Sequence, residues 1–239
     1  MRRSNGMGWG ATLLAAAMSA AVASAACSSS GSGGVTGPDT LPHPAGTHVF
    51  IGGMAGLVSH NGLVTITIND TGTTSPVTAS YKPIGGAAVA MSGTLDRGSG
   101  ALNFGGSSYG VSSLLASGMF TGAWTLSTTD SGAFAAVSDS GTPVAFCGSF
   151  TNTNGGGADT GVAVMLINGT AGKLVVANRV GNGGGQVFPV SRSGNTVTIT
   201  PQNGSASGTI SGSSITGVIK DSVGTTTGSF SASAANCAA

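Results

Sequence analysis

The feature that most constrains this chain is a phrase it contains twice. Met119-Phe120-Thr121-Gly122-Ala123-Trp124 runs into Gly132-Ala133-Phe134, and about 95 residues later Ser214-Ile215-Thr216-Gly217-Val218-Ile219 runs into Gly228-Ser229-Phe230. Each copy reads as a β-hairpin: an alternating strand with glycine at its middle, a turn of small and polar residues, and a second strand carrying Phe. Phe120, Gly122, Trp124 and Leu126 share one face, with Thr121, Ala123, Thr125 and Ser127 on the other. The second copy puts Ile215, Gly217 and Ile219 inward and Thr216, Val218 and Lys220 outward. A glycine between two large inward side chains gives a strand room to bend, so both copies predict strong curvature.

The rest of the chain follows the same plan. Short alternating segments run from Thr47 to Ile51, Leu63 to Ile68, Val77 to Tyr81, Ala87 to Leu95, Ala101 to Phe104, Val111 to Leu115, Phe120 to Leu126 and Phe134 to Val137, separated by Gly, Ser and Asn. The second half retraces the first. Phe146 answers Phe50, Val164 to Thr170 answers Thr65 to Thr71, Arg192 answers Arg97 and Phe230 answers Phe134. The expected fold is all-β, an antiparallel meander of two tandem repeats, about 47–140 and 144–237, forming a β-barrel or a tightly rolled sandwich. At the usual strand length the repeats supply roughly twelve to fourteen strands, in one domain or in two small lobes. Composition agrees: Glu is absent, Gly numbers 43 and charged residues are 6% of the chain, which leaves little to cover exposed helix faces.

The N-terminal region is of a different kind. Arg2 and Arg3 precede a soft apolar run from Ala11 to Ala23 and the small residues Ser24-Ala25-Ala26, the plan of an export signal over residues 1–26. Residues 27–46, rich in Ser and Gly and carrying Pro38, Pro42 and Pro44, read as a flexible linker, and 47–239 as the β domain. Small residues before Cys27, followed by a Ser/Gly tether, resemble the start of a bacterial lipoprotein, with Ser24 where Leu is commonest in that class. The resemblance implies a lipid on Cys27 and attachment to a membrane, at the outer membrane or cell surface. Cleavage after Ala25 or Ala26 to give a secreted or periplasmic protein is the alternative. In broad style the β domain resembles the small rolled β-domains, lipocalin-like barrels among them, that bacterial lipoproteins carry on such tethers. Of three cysteines in an exported chain, lipidation of Cys27 leaves Cys147 and Cys237 to pair. That disulfide would join the first strand of the second repeat to the chain just past its last strand; two free buried thiols are the alternative.

Motifs for chemistry are sparse. Gly106-Ser107-Ser108-Tyr109-Gly110 matches G-x-S-x-G, yet a nucleophile elbow needs a following helix and a later His, and His43, His48 and His60 all come earlier. These three His with Asp39 and Asp70 lack the H-x-H or H-x-x-x-H spacing that places two imidazoles on one face, so no metal site is expected. Gly155-Gly156-Gly157-Ala158-Asp159 reads as a loop. Arg97 and Arg192 read as solvated hairpin tips. Phe120 and Trp124 are candidates to line a cavity, against the alternative that Trp124 is core with its indole N–H bonded to backbone.

The function expected is therefore non-enzymatic: a lipid-tethered envelope protein, binding or structural, without cofactor. Its partners are a membrane through the N-terminal lipid and a small ligand, a glycan or an envelope protein. Nucleic acid is disfavoured, because without Arg2 and Arg3 the chain has six basic residues against seven Asp. The alternatives are a secreted or surface hydrolase and an integral outer-membrane β-barrel, the latter short of aromatics for two girdles.

Overall fold

The computed structural model describes residues 46–153, 158–180 and 184–238. The export signal, Cys27, His43 and Asp39 lie outside the described residues, as do Gly155, Gly156 and Gly157. The described chain forms two closed antiparallel barrels in tandem. The first contains β1 (Gly46–Gly56), β2 (Asn61–Asp70), β3 (Thr74–Pro83), β4 (Val89–Asp96), β5 (Ala101–Gly106), β6 (Tyr109–Ala116), β7 (Met119–Leu126) and β8 (Asp130–Ser138). The second contains β9 (Val144–Asn152), β10 (Asp159–Asn168), β11 (Ala171–Val180), β12 (Gly185–Ser193), β13 (Thr196–Ile199), β14 (Ser205–Ser211), β15 (Ser214–Lys220) and β16 (Thr226–Ser233), followed by a short helix, α1 (Ala234–Ala238). Each strand pairs with the next, and β8 closes on β1 as β16 closes on β9.

Among the described residues the strands number sixteen instead of the expected twelve to fourteen. Very short turns leave the room. Ser107-Ser108 and Ser117-Gly118 each place two successive residues at positive φ (50° and 73°, 52° and 71°), the twist that two-residue hairpin turns require. The first of these is the G-x-S-x-G segment, so Ser108 sits at a hairpin tip between β5 and β6.

Backbone hydrogen bonds identify equivalent places in the two barrels. Arg97 N–H donates to Thr73 O and Arg192 N–H to Thr170 O, and Leu115 N–H donates to Gly100 O as Ile210 N–H does to Asn195 O. The repeated phrase itself is a pair of cross-strand neighbours: Gly122 lies opposite Phe134, and Gly217 opposite Phe230. In the second barrel the Phe230 ring covers the space left by Gly217 and Gly208, and a Cβ at Gly208 would stand 2.7 Å from Phe230 Cζ. In the first, the Phe134 ring leans over Gly52, and Gly122 instead lets β6 come close along Ser112 and Ser113.

Each barrel is filled by its own inward side chains. The first core is aromatic, with Phe50 and Phe120 edge to face at 4.9 Å and Phe104 and Phe134 at 5.8 Å. The second is largely aliphatic, around Ile167, Val197, Ile199 and Ile215 with Phe146 and Phe230. A third apolar cluster is built from side chains that point out of both barrels: Ala55, Ala133, Ala135 and Val137 against Val164, Leu166, Val175 and Ala177. This seam explains why β8, β10 and β11 read as continuous apolar runs, since they are buried on both faces. Gly53 admits Val164, whose Cγ1 would stand 2.6 Å from a Cβ there. Cys147 and Cys237 form the expected disulfide at a separation of 90 residues and lie in the same cluster.

Candidate functional site

Adjacent antiparallel strands put consecutive polar segments at opposite poles of the first barrel. The group of His48, His60 and Asp70 that the sequence crowds together is therefore divided, because β2 separates His60 from Asp70 by its whole length. At the pole where β1 begins, the Asp70 side chain is 1% exposed; Arg97 Nη1 lies 3.1 Å from its Oδ1, and Ser75 Oγ donates to the same oxygen at 3.1 Å. His48 Nε2 stands 3.9 Å from Asp70 Oδ2. Arg97 is thus no solvated tip. It pairs with a buried carboxylate, whereas its counterpart Arg192 donates from Nε to Gly194 O within its own turn.

The opposite pole holds the candidate site, and Asp130 organises it. One carboxylate oxygen, Oδ1, accepts from the N–H groups of Val58 (3.0 Å) and Ser131 (2.8 Å), while Oδ2 accepts from those of Ser59 (3.0 Å) and His60 (2.9 Å). The carboxylate thereby fixes the β1–β2 connection from the first residue of β8. Burial alone would raise its pKa, but the hydrogen bonds from His60, Ser59 and Val58 outweigh it and hold Asp130 at about 2.

His60 is locked by the same group. Its Nδ1 lies 2.9 Å from Asp130 Oδ2, and an ionised carboxylate only accepts, so Nδ1 carries the proton and Nε2 is left as an acceptor. Ser59 Oγ lies 3.0 Å from that same Nδ1. The imidazole, with its side chain 32% exposed, meets Tyr109 and Trp124 edge-on at centroid distances of 6.2 and 6.3 Å. Tyr109 in turn packs on Tyr81 at 5.2 Å and on Trp124 at 6.1 Å.

Tyr81 is fully buried, and its hydroxyl has no hydrogen-bond partner among the described residues. An unpaired buried hydroxyl costs about 1–3 kcal/mol. Burial pushes the Tyr81 hydroxyl well above the usual phenol range, with Tyr109 and Asp130 adding to the shift and Arg179 opposing it. Burial and Asp130 also raise Tyr109. Arg179, at the end of β11 in the second barrel, reaches across: its Nε donates to Gly56 O at 3.3 Å and its Nη2 to Asn61 Oδ1 at 3.1 Å. Val58 and Val180, each beside a residue of this pole, are 63% and 57% exposed.

Trp124 and Phe120 belong to the core, 1% and 0% exposed. The barrel interior closes on them because inward aromatics from neighbouring strands fill it. Trp124 donates from Nε1 to Ala55 O at 3.3 Å, the backbone bond that its inward position called for. Two recesses of about 300 and 420 Å³ lie on the outer wall of the second barrel, edged by Ser and Thr around Gly217.

Sequence reasoning singled out His60 without its partner and passed over Asp130, Tyr81, Tyr109 and Arg179 as site residues. Asp130 reads as one more turn Asp. A usable signal was available in the tyrosines: the chain has two, both stand near a strand terminus, and both converge here.

No family model matches the chain, and no curated protein matches it. A crystal structure of a protein of unknown function from the DUF3598 family of Nostoc punctiforme is similar over 78% of this chain and 94% of that chain, with 10% identity and a TM-score of 0.21. A likeness at that level carries no argument about function.

Proposed function

We propose that the chain is a non-enzymatic binding protein, exported and tethered through a lipid on Cys27, which takes a hydroxyl-bearing ligand such as a glycan at the aromatic pole of its first barrel. The observation that carries the reading is one combination: a partly exposed imidazole held in a single tautomer with Nε2 open, beside the half-buried ring of Tyr109. A sugar hydroxyl donates to that nitrogen while the sugar's C–H face covers an aromatic ring.

A hydrolase is the weaker reading. A nucleophile relay needs the carboxylate on one ring nitrogen and the hydroxyl on the other, but Asp130 and Ser59 both address Nδ1. An integral membrane barrel is also disfavoured. Outward positions across five strands of the second barrel are Thr196, Thr209, Thr216, Ser231 and Ser149, paired in that order, where a lipid-facing wall needs an apolar band. Tethering suits the geometry: β1 starts at the Asp70 pole, so a linker entering at Gly46 leaves the aromatic pole at the far end of an 11-residue strand, about 35 Å along the chain.

The test is calorimetric titration of the exported protein, extracted in detergent, with soluble oligosaccharides of defined composition, followed in parallel by tryptophan fluorescence. Binding that falls at least tenfold in both His60→Ala and Tyr109→Ala is the expected result. Binding that neither change affects, or no binding by any sugar, defeats the reading. Intact mass before and after Cys27→Ser tests the lipid: an unmodified N-terminus removes the tether.

A further inference from the structure

The aromatic pole is completed by a residue of the other barrel, and that residue bears on what kind of ligand fits. Arg179 is exposed and held in place by two acceptors of the first barrel, Gly56 O and Asn61 Oδ1. Those two bonds occupy only part of a guanidinium with five N–H donors in a rigid fork. Among the described residues no carboxylate is paired with it. The nearby carboxylate, Asp130, is 1% exposed and already saturated by four backbone N–H groups and the His60 imidazole. A cation has thus been carried across the seam, fixed against the rim of the site, and left with its charge uncompensated.

From this we infer that the ligand is a sugar acid: a hydroxylated ring bearing one carboxylate, whose charge Arg179 meets while His60 Nε2 accepts from a ring hydroxyl. The inference rests on the binding role proposed for the pole and specifies its ligand. Charge matching selects a carboxylate over a phosphate. One guanidinium balances one carboxylate in a two-point contact, whereas a doubly charged phosphate calls for a second cation or a nest of backbone N–H groups. The backbone N–H groups that could form such a nest, those of Val58, Ser59 and His60, are committed to Asp130. Neutral sugars satisfy the hydroxyl contacts but leave Arg179 unanswered, so the acid is preferred over the neutral sugar of equal length. The specificity is a joint property of the two barrels, because neither supplies both the aromatic ring and the cation.

The experiment compares a hexuronic-acid oligomer with the neutral hexose oligomer of the same length and linkage, titrated into the detergent-extracted full protein, its Arg179→Gln and Arg179→Lys variants, and His60→Ala. The expected result is at least tenfold tighter binding of the acid, weakening as salt rises. Arg179→Gln should remove that preference by weakening the acid at least tenfold more than the neutral oligomer, and Arg179→Lys should retain part of it. Equal affinity for the two oligomers, or an acid affinity unaltered in Arg179→Gln, overturns the sugar-acid inference while leaving the binding role intact. Binding of neither oligomer, or binding indifferent to His60→Ala, removes the binding role and the inference together. Circular dichroism of each variant establishes that a lost signal comes from a folded protein.

Discussion

The two barrels share a strand plan and differ at their ends. Register places Asp130 opposite Leu126 in the first and Thr226 opposite Lys220 in the second, and Trp124 opposite Val111 where Ile219 stands opposite Ala206. In the alignment of repeats, Asp70 answers Gly169 and Arg97 answers Arg192. The first barrel therefore has a buried carboxylate at each pole, Asp70 and Asp130, and an aromatic interior. The second has Gly and Thr at those places, an aliphatic interior, and a disulfide to α1. The walls repeat because closing an eight-stranded barrel constrains them. The poles are free of that constraint, so their residues diverge between the repeats.

The largest effect that sharpens this comparison concerns the disulfide. Replacing Cys147 and Cys237 together by Ala releases a closed loop spanning 90 residues and should cost about 4–5 kcal/mol in the chain-entropy model. Urea unfolding followed by far-ultraviolet circular dichroism reads both barrels, and Trp124 fluorescence reads the first. The dichroism transition should move to lower urea ahead of the fluorescence change. Coincident shifts would show that the seam makes one cooperative unit of both barrels, and the comparison between separate halves would fail.

Next comes the arginine pair. Arg97→Ala strands the Asp70 carboxylate in a buried setting and should cost about 3 kcal/mol. Arg192→Ala removes only a turn contact and should stay within about 0.5 kcal/mol. Equal losses in chemical denaturation would show that the two positions are alike after all.

A smaller effect follows from Asp130. Its pKa is about 2 in the fold against 3.8 for the free side chain, so folding favours the ionised form. That contribution, about 2 kcal/mol, is complete above roughly pH 4 and disappears as the pH falls toward 2. Asp130→Asn should lose it at neutral pH and flatten the acid limb of the stability profile. An acid limb identical in the variant would assign it to other groups.

Much of the wall was legible in sequence. The eight segments read in the first repeat each fall on one of β1 to β8, and the glycine placed between Phe120 and Trp124 lies where β7 closes onto β6. The count of twelve to fourteen followed from an average strand length, whereas the eight segments read in the first repeat, doubled, give the sixteen strands that form among the described residues. The seam was written in the substitution of Val164 and Leu166 for Thr65 and Thr67, which converts an alternating strand into one buried on both faces. Read by itself, that change looks like drift between repeats.

What the sequence determined by itself is local: the alternation that assigns each side chain to the inside or outside of a strand, the glycine–phenylalanine pairs, and the order of hairpins. Period-two burial depends only on neighbours along and directly across the strand. The tertiary structure decided which carboxylates are buried, which outward faces meet, and which distant residues share a pole. Asp130, His60, Tyr81, Tyr109 and Arg179 come together because barrel closure returns β8 to β1 and the seam brings β11 against both. Those meetings arise from long-range closure, and no spacing along the chain encodes them.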